Sequence, residues 1–250
     1  MLVAIASGMS SAADDDAGDN RRRIEPTGFL WGGALGIRRE IYKDFDRRVI
    51  PLPIIGYRGE KLEVFGPFVR YEFFENDGLK FSGLMSPRFS GFDESDSDVF
   101  EGMDDREFSM DAGVGFTYEF DDWKIELSTL HDILGRSDGN EVRAKLAKVF
   151  RTGPVFIEPA IGLSYLDSNH VDYYYGVAED EATADRPAFE GEEAVNPTLS
   201  VSFITPVFFD GLTRFGIQKT HFDDSITDSP LTDSDAGLEY FISFSKFFDW

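Results

Sequence analysis

Alternation with a period of two runs through most of this chain and is clearest near its end. Leu238, Tyr240, Ile242, Phe244, Lys246, Phe248 and Trp250 form one set, apolar or aromatic apart from Lys246. The intervening residues, Gly237, Glu239, Phe241, Ser243, Ser245, Phe247 and Asp249, are mixed and lean polar. Two unlike faces at that period predict a strand. In a soluble sandwich such a long aromatic strand would be an exposed edge, a template for aggregation. If instead the apolar face meets lipid and the sheet closes on itself, the edge disappears. An aromatic last residue then falls at the boundary between lipid and water.

The same pattern recurs in segments of about ten residues, each closed by turn chemistry. Strands are predicted over residues 29–39, 49–57, 61–65, 68–74, 79–92, 108–120, 123–134, 141–150, 155–166, 197–206, 212–222 and 236–250. Asn76-Asp77-Gly78 is a strong hairpin signal. Pro51 and Pro53 cannot donate to a ladder, and are read as an irregular strand entry. Residues 141–150 also contain good helix formers, so a helix is the rival reading there; short flanking turns favour the strand. If the break at Gly66-Pro67 separates two short strands, the count is twelve, an even number; ten is the fallback.

Connections differ in length and charge. Short ones fall at 58–60, 121–122, 151–154 and 210–211, and long acidic ones at 40–48, 93–106, 167–194 and 223–235. This asymmetry predicts an up-and-down antiparallel transmembrane β-barrel, with long loops outside the cell and chain ends on the periplasmic side.

Composition agrees. With 25 Phe among its 250 residues the chain is too aromatic for disorder. A mean hydropathy of −0.26 suits strands that expose only alternate residues to lipid. The net charge of −23 argues against a nucleic-acid partner, which needs clustered Lys and Arg. The absence of Cys removes disulfides and thiolate metal sites. Residues 1–13 (MLVAIASGMSSAA) read as a truncated signal peptide lacking its basic start, 14–27 as a disordered charged tail, and 28–250 as the barrel domain.

Candidate chemistry is sparse. His131, His170 and His221 each have an Asp nearby in sequence, but no Gly-x-Ser-x-Gly element accompanies them, and rim or lumen hydrogen bonding is the expected role. Asp93, Glu94, Asp96 and Asp98 offer oxygen ligands at alternate spacing, without the central Gly and final Glu of a calcium loop. They are read as a solvated loop; the alternative is cation bridging to lipopolysaccharide phosphates. Tyr173, Tyr174 and Tyr175 are read as an interface anchor or loop packing rather than a ligand-stacking surface. Lys124, Glu126, Arg143, Lys145 and Glu158 either line a pore or pair across the lumen and close it. No catalytic, cofactor-binding or metal-binding residue is assigned.

Three short elements carry a family resemblance. VIPLPIIGYR at 49–58 resembles the P-L-P segment of the MipA/OmpV family of outer-membrane proteins. YYYGV at 173–177 and DSPL at 228–231 resemble two further recurring elements, in the same order and spacing. The resemblance covers residues 28–250. It implies a barrel in the outer membrane of a Gram-negative cell, in contact with lipid and lipopolysaccharide, without known catalysis or cofactor. One member of the family resembles a scaffold that bridges a lytic transglycosylase and a penicillin-binding murein synthase, so the resemblance implies a scaffold linking murein-turnover enzymes. A narrow porin for small solutes is the alternative.

Overall fold

A computed structural model describes residues 27–45 and 47–248. The expected signal peptide, the tail up to residue 26 and the terminal Trp250 lie outside them. No described helix is long and apolar enough to cross a membrane. Thirteen strand segments form one antiparallel sheet: β1 (Gly28–Arg39), β2 (Arg47–Arg58), β3 (Leu62–Phe65), β4 (Phe68–Asn76), β5 (Leu79–Arg88), β6 (Ser109–Phe120), β7 (Trp123–Asp132), β8 (Asn140–Lys148), β9 (Phe150–Thr152), β10 (Val155–Leu166), β11 (Ala194–Thr205), β12 (Leu212–His221) and β13 (Ala236–Phe247). β8 and β9 are consecutive pieces of one strand, broken at Val149 and both paired with β10, so twelve strands circle the barrel. The last strand pairs with the first, from Leu30 opposite Phe247 to Arg39 opposite Leu238, and the ring is closed.

Side-chain alternation now has a physical meaning. Leu238, Tyr240, Ile242 and Phe244 face outward, as do Ile55, Ile161 and Leu199, the last three 77%, 59% and 62% exposed. Large exposed apolar faces need an apolar surrounding. Exposed aromatic residues Phe29, Trp31, Tyr118, Phe120, Trp123, Phe150 and Phe209 gather toward the end where the turns are short. Trp31, Tyr118 and Trp123, apolar rings with one polar atom, suit that boundary. The hairpin at Asp77-Gly78 forms as expected, with positive φ at both residues (47° and 78°). Residues 141–150 fall in β8 and β9, strand on either side of the break at Val149, and not in a helix.

Other expectations need correction. β5 stops at Arg88, before the predicted end at residue 92. β11 starts at Ala194, three residues early. Within the longest loop, Asp167 caps α1 (Ser168–Tyr175), a helix the period-two reading passed over. A second short helix, α2 (Asp224–Thr227), is capped by Asp223.

The reading of Pro51 and Pro53 as an irregular entry also fails: both lie inside β2, opposite Leu35 and Gly33 of β1. β3 pairs with β2 only at Gly56–Arg58 and then turns back at Gly66-Pro67. The Gly66 N–H donates to the Ile55 carbonyl, and the Pro53 carbonyl faces Gly66 on the same side. Carbonyl and N position of one residue share a side in an antiparallel strand. The prolines therefore place their missing N–H on the edge of β2 that β3 has left unpaired, the position where a strand tolerates proline. Phe89, after β5, packs against the apolar cluster of Leu30, Ile50, Ile54, Phe65, Phe68 and Phe241. Arg38 and Arg48 hold that segment by donating to the Phe89 and Gly91 carbonyls.

Candidate functional site

The interior is stacked in layers. Nearest the short turns, Phe156, Ile204 and Leu212 cluster with Val149. Along the inner face of β1 to β4 and β13, Leu30, Ile50, Ile54, Phe65, Phe68 and Phe241 form a second apolar cluster. Both occupy inward positions that a wide channel would leave to water.

Above them lies a charged layer built by register. Glu126 stands opposite Lys145 across β7 and β8, and Lys124 opposite Ala147, whose small side chain leaves room to reach further. Lys124 Nζ donates to Glu158 Oε2 at 2.8 Å, and Lys145 Nζ to Glu158 Oε1 at 3.3 Å. Lys145 also pairs with Glu126. Two cations and two carboxylates thus neutralise each other; buried charges persist only when paired in this way.

A third layer centres on Arg88, at the end of β5. Its guanidinium binds Asp111 and lies 2.9 Å from Glu141 Oε2. Glu141 also accepts from Arg143 Nε at 2.6 Å and from Ser164 Oγ at 2.8 Å. Between the charged layers a cavity of about 280 Å³ remains, lined by Arg70, Ser82, Thr117, Ser128, Ser200 and Gln218 among others. Arg70 Nε and Arg143 Nη1 are buried donors without an acceptor among the described residues.

The long loops close over the top of this stack. Tyr42, Phe92, Phe100, Met103, Val177 and Leu231, drawn from four different loops, form one apolar core. Phe92 and Phe100 stack with centroids 3.8 Å apart. A neighbouring cluster joins Ile41, Leu166, Val171, Ala194 and Ile226. Polar ties run loop to loop: Tyr42 donates to the Tyr174 carbonyl at 2.9 Å, Ser229 Oγ to the Tyr175 carbonyl at 2.6 Å, and Arg106 Nε to the Tyr173 carbonyl at 2.7 Å. Arg106 also holds Glu181 at 2.9 Å. Burial opposes ionisation of Glu181, but Arg106 and the Asp104 and Ala178 amides outweigh it and hold the carboxyl below its usual range.

α1 sits where this cap meets the barrel. Its N-cap Asp167 accepts from the His170 amide at 3.0 Å. Val171 and Tyr174 are fully buried, and His170 Nε2 lies 3.4 Å from Arg88 Nη1. Burial, reinforced by the Arg88 charge, pushes the His170 imidazole down to about 3, so it is neutral in the folded cap.

The histidines flagged in the sequence are not brought together. His131 faces outward on β7, 3.2 Å from Asn140 Oδ1; His221 lies 3.8 Å from Asp235 at an exposed strand end; His170 is in the cap. Asp96 and Asp105 accept from the backbone amides of Asp93 and Glu94, so two carboxylates of the acidic loop shape its own bend. No cluster of three or more metal-ligating side chains occurs among the described residues. Tyr173, Tyr174 and Tyr175 serve loop packing. Of the lumen charges, Lys124, Glu126, Lys145 and Glu158 form one network and Arg143 joins the other. Arg88 and the shared loop core were missed. Val171, Tyr174 and Tyr175, spaced three and four apart after a capping Asp, were the available helix signal.

A closed barrel with an apolar outer face and an aromatic belt defines an integral outer-membrane β-barrel. The family model described as MltA-interacting protein MipA matches residues 31–248, and the chain belongs to that family. It is 27% identical to outer membrane protein Omp26La of Vibrio anguillarum over 81% of this chain and 79% of that protein. It is 26% identical to the MltA-interacting protein of Escherichia coli K12 over 82% and 84%, and 26% identical to outer membrane protein OmpV of Vibrio cholerae over 81% and 79%. Among solved structures, the CymD monoaromatic hydrocarbon channel aligns with a TM-score of 0.41 at 11% identity, covering 98% of this chain and 96% of that one. That likeness is too low to bear on function.

Proposed function

We propose that this protein is a non-catalytic structural element of the cell envelope, a barrel closed to solutes that offers a docking surface to murein-turnover enzymes. The observation that carries this reading is the filled interior: apolar clusters near the short turns, charges paired across the lumen, and a cap in which four loops share one core. The name of the E. coli relative, MltA-interacting protein, supports a murein hydrolase as the partner. In this reading the acidic long loops face outward, and the short turns and chain ends face the periplasm, where murein lies. The test is co-purification of a lytic transglycosylase with the full-length protein from detergent-solubilised outer membranes. Retention through a salt wash supports the scaffold; its absence, with the barrel intact on a heat-modifiability gel, removes it.

The second reading is a narrow porin. The cavity of about 280 Å³, with unpaired donors on Arg70 and Arg143, favours it as a place where a small anionic solute could pause. Conductance separates the two readings.

A further inference from the structure

We propose that the outward face of β12, β13, β1 and β2 at the long-loop end binds the phosphate of a membrane lipid, through Arg39, Arg47 and Lys219. The register places these residues in one row. Arg39 stands directly opposite Arg47, and on its other side opposite Leu238, which stands opposite Lys219. Neighbouring strands are about 4.8 Å apart, so the row spans roughly 15 Å.

All three side chains are exposed and point away from the lumen. None is paired with a carboxylate among the described residues, although the chain carries 47 acidic residues against 24 basic ones. Like charges directly opposite each other on one face are destabilising. Placing two arginines there has a cost, which an external anion would offset.

The surroundings specify that anion. Away from the loops, the same outward columns turn apolar at once: Ile37 and Leu35 on β1, Val49, Pro51, Pro53 and Ile55 on β2, Tyr240 and Ile242 on β13. The cations therefore mark the edge of the hydrocarbon band, the level of lipid phosphates. The outward residues at the same end of β7, β8, β10 and β11 include His131, Val142, Tyr165 and Val195, with no Lys or Arg, so the site is confined to one side. Two guanidinium forks match the geometry of a phosphate. The occupant is a phosphorylated lipid of the outer leaflet, lipid A by its chemistry. That assignment of leaflet rests on the orientation proposed above; the phosphate site itself does not.

The test is native mass spectrometry of the full-length protein in neutral detergent, offered diphosphoryl lipid A, phosphatidylglycerol, phosphate-free diacylglycerol, or inorganic phosphate as competitor. The wild type is expected to retain one lipid A, and the R39Q/R47Q variant to bind it about ten-fold more weakly. R39K/R47K should keep part of the affinity, and K246Q, at the opposite boundary, all of it. Equal retention by R39Q/R47Q, equal retention of diacylglycerol, or full displacement by inorganic phosphate would overturn the proposal. Heat-modifiable migration of each variant shows that the barrel has formed. If R39Q/R47Q fails to fold, R47Q alone gives the same reading at smaller amplitude. Preference for phosphatidylglycerol over lipid A would uphold the phosphate site while overturning the orientation.

Discussion

Lys124 reaches Glu158 across an intervening strand: the two residues sit on β7 and β10, separated by β8, yet their charged atoms are 2.8 Å apart. A contact of this kind ties the wall to itself through the lumen. Lys124→Met leaves the carboxylates Glu158 and Glu126 in excess over Lys145, an uncompensated buried charge worth about 3 kcal/mol of lost stability. Adding Glu158→Leu restores balance, with Lys145 and Glu126 still paired, and should recover much of the loss. Urea titration of tryptophan fluorescence in micelles measures both; simple additivity of the two changes would contradict the network.

The cap should loosen in mild acid. His170 titrates near 6.5 when exposed and only at about 3 when folded. Between those values the unfolded cap binds the extra proton, so cap stability is complete above 6.5 and falls as pH drops toward 3. By about pH 5, still above the carboxylate range, roughly 2 kcal/mol should be gone. The protection factors of the α1 amides, exchange rates corrected for the intrinsic effect of pH, should fall over that interval in the wild type and stay flat in His170→Gln.

Phe100 is fully buried and stacked on Phe92, in a core that belongs to the loops alone. Phe100→Ala should cost about 3–4 kcal/mol there through the cavity it leaves. Trypsin should then cut within residues 89–108 while the barrel keeps its heat-modifiable migration. Loss of both together would mean that cap and wall fold as one unit.

Pro53 gives a prediction of unusual sign. Removing proline from a central strand ordinarily returns a ladder hydrogen bond. Here the restored N–H would point along the unpaired edge of β2, with no strand to accept it, and an unmet donor costs about 1–3 kcal/mol. Pro53→Ala is therefore expected to lower the unfolding midpoint in urea. A higher midpoint would show that the seam pairs.

These elements differ in how far the sequence discloses them. The outward face of β13 was legible because alternation is a local property, and Asp77-Gly78 because the turn demands positive φ at successive residues. The even strand count followed from Gly66-Pro67. The role of Pro51 and Pro53 was not legible, since it depends on where β3 turns back, many residues downstream. The cap core was hidden for the same reason: Tyr42, Phe100, Val177 and Leu231 come from four separate loops, none periodic enough to announce a buried face. Lumen charges were visible as inward residues, but only the register distinguishes pairing from pore lining.

The central claim, a barrel whose lumen is shut by its own side chains and loops, is tested most directly by single-channel recording of the refolded full-length protein in a planar lipid bilayer. The account predicts an insulating bilayer at neutral pH. A steady open level, reproduced across insertions, would contradict it.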